Sequence, residues 1–370
     1  MHEAGLEALL GQVHIRTTTQ FHHVVHAEVI FICVGTPLSS DGSMSLESIA
    51  KASEEIARVL GQRNDYCVVA VKSTVVPGTT EELVIPILET SKRKAGVDFG
   101  VCMTPEFLRE GMAVYDYMNP ARIVIGEYDR RSGETLLGLC TNFNAPVVRT
   151  NLRTAEIIKV ACNSFLGTKI SFINEIGNIC KMLGADTRQV AEAMGLDERI
   201  GNKFLNPGIG FGGSCISKDI SGLVAKARQM GYRPHLLESV LKVNDEQPIR
   251  VVELLKKHIS LKGTDIGILG LAFKPGTDDV RDSRAARIVE ILLHEGARIK
   301  AYDPLAVPNF RGLFPNIGFV GKDEVLKCDA IVIATEWEEF EYLDYRGKIV
   351  IDGRGIAKAR EARIYEGVCW

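Results

Sequence analysis

The chain has 370 residues, 46% of them hydrophobic and 25% charged, with a formal net charge of -3 at pH 7. That length exceeds one compact core and points to two or three domains, and the mild acidic balance excludes the basic excess that a nucleic-acid backbone requires. Apolar runs such as Val29 to Val34 and Val68 to Val71 are strand-length, and His and Glu stand at the start where a secretory leader needs a basic then apolar block, so a cytoplasmic chain with no membrane span is expected. Nine cysteines are scattered without CxxC spacing, several inside apolar patterns (Cys33, Cys67, Cys162, Cys180), and eight of the nine are expected to be buried reduced thiols.

From Ala27 short β-branched runs alternate with amphipathic stretches, the pattern of a parallel sheet wrapped by helices. Strands are predicted at Val29 to Val34, Tyr66 to Val71, Phe99 to Met103 and Arg122 to Gly126. Helices are predicted at about Leu46 to Leu60 and Glu81 to Lys92, the second entered through Pro77-Gly78-Thr79 with Thr79 as a capping hydroxyl. From Thr154 the period changes, and Ile157, Ile158, Ala161, Phe165, Ile173, Ile176 and Cys180 keep one stripe along a long central helix; another helical segment follows from Asp186. Beyond Leu261 the alternation resumes, with strands at Ile266 to Phe273, Ile299 to Tyr302 and Ala330 to Ala334 and a helix at Ser283 to Glu295.

A dinucleotide-binding domain should open with a strand, a G-x-G-x-x-G turn and a helix, and this chain begins after that point. Its literal match, Gly208-Ile-Gly210-Phe-Gly212-Gly213, follows Asn206-Pro207 rather than an apolar strand, so another role is expected for these glycines.

Further along the same segment, Cys215 lies just past the glycine-rich turn. If a helix starts near Ser214, Cys215 sits at its positive end, where a thiolate is favoured, and Asp219 faces it at i+4. Taken alone, a small buried cysteine in a tight turn is the commoner outcome. Lys159 and Asn163, four apart on the long helix, project from one face and suit an oxyanion; without further context they are a solvated lysine and a helix-capped or packed asparagine. Glu106 and Glu110 repeat the spacing if a helix starts after Pro105, giving either paired carboxylates for general-base work or an exposed acidic helix start. Thr74 ends an apolar strand, as does Val34-Gly35-Thr36-Pro37, and strand ends are where ligands sit in open α/β sheets.

The segment G-F-G-G-S-C-x-x-K-D resembles the signature of the UDP-glucose and GDP-mannose 6-dehydrogenase family. The resemblance runs over essentially the whole chain, through Val34-Gly-Thr-Pro37, Lys72-Ser-Thr74, Pro105-Glu-Phe-Leu-Arg-Glu110, Lys159 to Asn163, Asn174-Glu175, Gly270 to Arg281 and Asp352-Gly-Arg354, all in the family's order. It implies an α/β chain of two Rossmann-like doubly wound domains joined by a long central helix and helical domain: a NAD-binding domain at 1–150, incomplete at its start, a central dimerisation domain at 151–250 and a UDP-sugar-binding domain at 251–370. Family members carry a first strand, glycine turn and helix before the residues resembling His2 to Leu10, so on the order of fifty residues, somewhat more than one βαβ unit, are expected to be missing, and the chain is expected to bind NAD poorly.

The resemblance further implies NAD as cofactor, a UDP-sugar as substrate, no metal and a homodimer or higher oligomer through the central helix. Oxidising a C6 alcohol to an acid removes four electrons, hence two hydride transfers, with the aldehyde held as a thiohemiacetal and then a thioester. Cys215 is then the nucleophile, Lys159 and Asn163 stabilise negative charge, and Asp219 with Glu106 orients or deprotonates water. Thr74 holds a water or the cofactor amide, and Val34, Gly35, Thr36, Pro37, Glu110, Lys218 and Arg281 face the cofactor. The loop Asn206, Gly208, Gly210, Phe211 and Gly212 wraps the diphosphate, glycines letting amides approach phosphate closely. Lys274, Arg354 and Arg199, the last either in its own chain or across a subunit interface, contact substrate, with Phe107, Leu108 and Phe273 completing the pocket. On periodicity alone those three are plain core, and the cations plain surface charge.

Ile216-Ser217 departs from the aromatic or aliphatic residue and proline usual after the cysteine. Gly210-Phe211-Gly212 favours the UDP-glucose branch over the GDP-mannose branch, and Lys218 separates the chain from the N-acetylmannosamine branch. The rival from another class is a non-catalytic sugar-nucleotide-binding homologue, against which the joint presence of Cys215, Lys159, Asn163, Asp219 and Glu106 argues.

Overall fold

The structure is a computed structural model that describes Glu3 and residues 5–370; His2, where the family resemblance starts, lies outside the described residues. The chain forms two compact units, one of Glu3–Asn163 with Ser221–Arg233, the other of Ser164–Ile220 with Pro234–Trp370.

In the first unit five strands, β1 (Val29–Ile32), β2 (Val68–Val71), β3 (Gly100–Met103), β4 (Ile123–Glu127) and β5 (Val147–Thr150), pair in chain order. All pairs are parallel except β3 with β4. Every residue of β2 and β3 is buried, which is why both read as unbroken apolar runs. Alternate residues serve two cores: Val69, Val71, Val101 and Met103 join the cluster that includes Leu152 and Ala155 of the long helix, while Val68, Ala70 and Cys102 face Leu136. The helix Glu47–Leu60 buries Ile49, Ser53, Ile56, Ala57 and Leu60 along one stripe.

Three local expectations fail here. The helix predicted from Glu81 begins as one π-helical turn, Thr80–Val84, continues as Ile85–Glu89 and stops short of Lys92, whose φ is 67°. The Thr79 hydroxyl does not cap it but donates to Val76 O at 2.6 Å. No helix follows Pro105: Glu106 and Glu110 lie in a loop, and the next helix is Ala113–Met118. The loop is held by side chains bonding its backbone, Glu106 accepting from Leu108 N and the Glu3 carboxylate from Gly111 N and Ala113 N, which offers the chain an alternative to helix.

The second unit carries six parallel strands, β6 (Asp265–Leu269), β7 (Arg298–Tyr302), β8 (Gly318–Phe319), β9 (Ala330–Ile333), β10 (Ile349–Asp352) and β11 (Ile364–Gly367), in the order β11-β10-β9-β6-β7-β8. The chain runs outward from β6 to one side and then returns to build the other, so the strand order reverses between β6 and β9. That is the doubly wound pattern, in which ligands bind at the carboxyl ends of the strands where the order reverses. Among the described strands of the first sheet the order does not reverse.

The long helix is Leu152–Leu183, 32 residues. Asp186 caps the next one, Thr187–Gly195, its carboxylate accepting from Arg188 N. All nine cysteines are free, but only Cys67, Cys102, Cys180, Cys328 and Cys369 are buried. Cys33 is exposed, continuing the face on which Phe31 of β1 is also exposed, and Cys140 and Cys162 are half-buried. Among the described residues no helix is long and apolar enough to cross a membrane.

Candidate active site

The candidates divide between the two units. In the first, β1 and β2 end side by side, and their loops are tied by two hydroxyls: Thr36 Oγ1 donates to Thr74 O at 2.7 Å and Ser73 Oγ to Val34 O at 2.7 Å. Gly35 lies between these ties with nothing within 4 Å of the position a Cβ would take. Open space beside hydroxyls at the ends of parallel strands fits an uncharged, hydrogen-bonding part of a nucleotide.

Lys159, on the long helix, is buried and its Nζ lies 3.1 Å from Glu106 Oε1. The ammonium also stands 5.4 Å from the centroid of the Phe107 ring, whose face carries the Arg122 guanidinium at 3.7 Å. Asn163 is buried four residues on. Burial pushes the Lys72 ammonium below the usual lysine range, with Cys33 and Glu106 acting against that. Glu110 is not brought into a helical pair with Glu106, and Leu108 is half-buried in the same loop.

In the second unit the helix Ile216–Gln229 begins immediately after Cys215, whose carbonyl accepts from Asp219 N at 2.9 Å. Cys215 is thus the residue at the head of the helix, exposed, its sulfur 3.5 Å from Ser214 Oγ. Asp219 is buried and ion-pairs with Lys218 at 2.6 Å. Gly167 of the long helix makes this start possible: a Cβ there would meet Ile220 at 2.6 Å and Ile216 at 2.9 Å.

The Gly208–Gly213 loop follows no strand, and its glycines serve close packing. Gly210 has φ 96°, and a Cβ on Gly212 would stand 2.3 Å from Asp282 O. Two of the amides expected to meet a diphosphate are committed inward, Gly208 N to Asn174 Oδ1 and Phe211 N to Asn244 Oδ1, both at 2.7 Å, as is the neighbouring Gly213 N, to Arg281 O at 3.0 Å. Asn206 remains exposed at the loop's edge.

Phe273 and Lys274 follow β6, and Arg354 follows β10, so all three lie at carboxyl ends around the strand reversal. Lys274 Nζ sits 5.5 Å from the Phe273 ring centroid. Arg354 Nε donates to Ala334 O at 2.8 Å and pairs with Glu336. Its turn is built by Asp352, whose Oδ1 accepts from Arg354 N and Gly355 N; burial pushes that carboxyl up, against these bonds and the Tyr365 hydroxyl. Arg281 folds back onto Asp279 at 2.7 Å, and Arg199 is an exposed side chain paired with Asp197.

Sequence reasoning missed three buried or strained acids. Asp303 Oδ2 accepts from Leu271 N, Ala272 N and Trp337 Nε1, fixing the loop after β6. Asp282, with φ 49°, receives the Ser217 hydroxyl and the Arg284 guanidinium. Glu156 is the third. None has a local pattern, since each partner is distant in sequence or follows only from the turn; the left-handed Asp is the sole hint. Among the described residues no group of His, Cys, Asp or Glu is arranged to hold a metal.

Parallel sheets with polar loops at their carboxyl ends, and an exposed cysteine heading a helix beside a partly buried lysine–aspartate pair, define a Rossmann-type dehydrogenase. The chain belongs to the UDP-glucose/GDP-mannose dehydrogenase family: its sequence matches that family's NAD binding domain over residues 1–144, its central domain over 153–246 and its UDP binding domain over 267–359. Its cofactor is accordingly NAD. It is 42% identical to a UDP-glucose 6-dehydrogenase of Haloferax volcanii, over all of this chain and 89% of the relative, and 38% identical to a GDP-mannose 6-dehydrogenase of Pseudomonas putida, again over 100% and 89%. The solved structure of a UDP-glucose dehydrogenase from Pyrobaculum islandicum superposes with a TM-score of 0.97 at 42% identity, covering 100% of this chain and 87% of that one.

Proposed function

We propose that the chain oxidises the C6 alcohol of UDP-glucose to the carboxylate. The observation that carries this reading is Cys215 at the head of its helix, with Asp219 bonded one turn below and paired to Lys218. NAD supplies the hydride acceptor for each of the two oxidations. Val34, Gly35, Thr36 and Pro37 with Thr74 would hold it, alongside Glu110, Lys218 and Arg281. The Cys215 sulfur adds to the aldehyde carbon to give a thiohemiacetal, whose oxidation leaves a thioester; water then cleaves the C–S bond, releasing the carboxylate and returning the thiol. Lys159 and Asn163 stabilise the oxyanion, and Asp219 and Glu106 orient the water and take its proton. Lys274, Arg354 and Arg199, with Asn206 to Gly212, hold the sugar nucleotide, and Phe107, Leu108 and Phe273 line the sugar pocket.

A division into NAD-binding (1–150), central (151–250) and UDP-sugar-binding (251–370) domains accompanies this reading. So does a homodimer: Phe165, Phe172 and Ile179 recur every seventh residue on the long helix with 65%, 46% and 42% exposure, an apolar stripe that a second copy would cover. Cytoplasmic residence completes it, as sugar nucleotides and NAD are intracellular metabolites.

The test is NAD reduction by the purified chain with UDP-glucose and with GDP-mannose. Two NADH per UDP-glucose, with little turnover of GDP-mannose, supports the reading; preference for GDP-mannose moves the chain to the other branch of its family.

A further inference from the structure

Glu156 takes no part in the scheme above and has no access to solvent, being 0% exposed. It stands one turn ahead of Lys159 on the long helix. Its two oxygens receive three hydrogen bonds from one short segment: Oε2 from Gly78 N at 2.6 Å, and Oε1 from Thr80 N at 2.8 Å and the Thr80 hydroxyl at 2.6 Å. That segment is the direct continuation of the Thr74 loop through Val75, Val76 and Pro77.

Taking a carboxylate out of water is costly unless its lone pairs are met. Burial pushes Glu156 up, and the bonds from Thr80 and Gly78 oppose this. A cap for the helix that starts at Thr80 could come from Thr79, next in the chain, yet Thr79 turns to Val76 O instead. The distant carboxylate does what a local hydroxyl cannot: it fixes the height of the long helix against the end of β2. From Glu156, Lys159 follows at i+3 and Asn163 at i+7, on the same face, and all three are buried. An axial slip of about an ångström would stretch the 3.1 Å contact of Lys159 with Glu106 beyond hydrogen-bond reach.

We propose that Glu156 is a positioning residue for the oxidation: its carboxylate locks the Thr74 loop to the helix face that carries Lys159 and Asn163. This rests on the reading of Lys159 as an oxyanion-stabilising group, and the test separates the two.

Glu156→Gln keeps one acceptor oxygen and turns a donor toward Gly78 or Thr80; Glu156→Asp keeps the charge and shortens the reach; Thr80→Val removes only the hydroxyl. All are made in the whole protein and assayed with UDP-glucose and NAD, beside Leu136→Ala, a large-to-small change in the core on the opposite face of the same sheet. The expected result is a kcat lowered about tenfold or more in Glu156→Gln and Glu156→Asp and less in Thr80→Val, KM for UDP-glucose within roughly twofold, and a displaced kcat–pH profile. Leu136→Ala lowers the melting temperature but keeps kcat and its pH profile. Glu156 variants that melt early yet keep kcat and its pH profile would overturn the proposal, leaving a structural cap. Should the Glu156 variants not fold, Thr80→Val decides in the same way. Lys159→Met separates the premises: unchanged turnover there sinks the catalytic reading, whereas loss of turnover there with normal kcat in the Glu156 series sinks the positioning role alone.

Discussion

Lys159 and Glu106 form an ion pair of 3.1 Å in which the ammonium is 5% exposed and the carboxylate 30%, so one charge is held out of water by a partner that keeps contact with it. That asymmetry suits a fixed cation beside a carboxylate able to pass a proton to solvent. Lys159→Met is expected to lower kcat by about two to three orders of magnitude, as removal of a developing-oxyanion partner does, and Glu106→Gln by about two. Because each group sets the other's charge environment, the double variant should lose far less than the product of the single losses. Steady-state kinetics of the three variants check this; strictly multiplicative losses would mean that the two act independently.

Cys215 heads its helix with its side chain exposed, as the proposed attack of its sulfur on a carbonyl carbon requires. Wild-type protein should form two NADH per UDP-glucose without releasing aldehyde. Cys215→Ser should fall below about a hundredth of that rate, because an oxygen ester in place of the thioester is hydrolysed less readily. Intact-mass measurement on quenched samples should find a sugar-nucleotide adduct in the variant and none in Cys215→Ala. A stoichiometry of one with free aldehyde would remove the covalent route.

The glycine loop also makes a prediction about stability. Gly212→Ala would press a methyl group to 2.3 Å from Asp282 O, and Gly210→Ala adds a side chain at φ 96° against Asn244. Each should destabilise the second unit by about 1–3 kcal/mol. Gly138, exposed near the end of the helix Arg130–Leu139 with nothing within 4 Å of a Cβ, should instead gain up to about 1 kcal/mol as alanine. Two compact units need not unfold together, so denaturant transitions are read separately.

These particulars show where the amino-acid sequence speaks and where it does not. β2 and β3 are buried on both faces and therefore unmistakable as apolar runs, and the long helix declares itself through an unbroken stripe. The Cys215 helix was legible because its start is written in glycines and its polar residues lie within one turn. The segment after Pro105 is a loop rather than the helix that the Glu106–Glu110 spacing suggests, because the bonds that hold it come from Glu3, over a hundred residues away, and from a short-range turn at Glu106 that the spacing conceals. Glu156 was invisible for the same reason: a glutamate on a helix carries no local mark of burial, and its donors stand 76 and 78 positions distant. The glycines of Gly208 to Gly213 stand out in the sequence, but only the structure shows that protein acceptors occupy the amides of Gly208, Phe211 and Gly213.

The last strand offers a pH test. Glu366 of β11 ion-pairs with Lys181 of the long helix at 2.6 Å and meets His258 Nε2 at 3.1 Å, while Lys181 also donates to Gly367 O at 2.7 Å. Burial by itself would raise the Glu366 carboxyl, but the hydrogen bonds from Lys181 and His258, with the nearby Lys257 charge, outweigh it and hold the group below its ordinary value. A carboxyl depressed in the folded state contributes stability that is present above its unfolded pKa, near 4.3, and is lost as pH falls through the lower folded value. Glu366→Gln should therefore melt earlier than wild type at pH 7, and the gap should narrow below about pH 4 as wild type loses the same contribution by protonation. Thermal melts of both proteins from pH 7 to pH 3 measure it. Curves that stay parallel over that range would show that the clip between β11 and the long helix does not depend on the Glu366 charge.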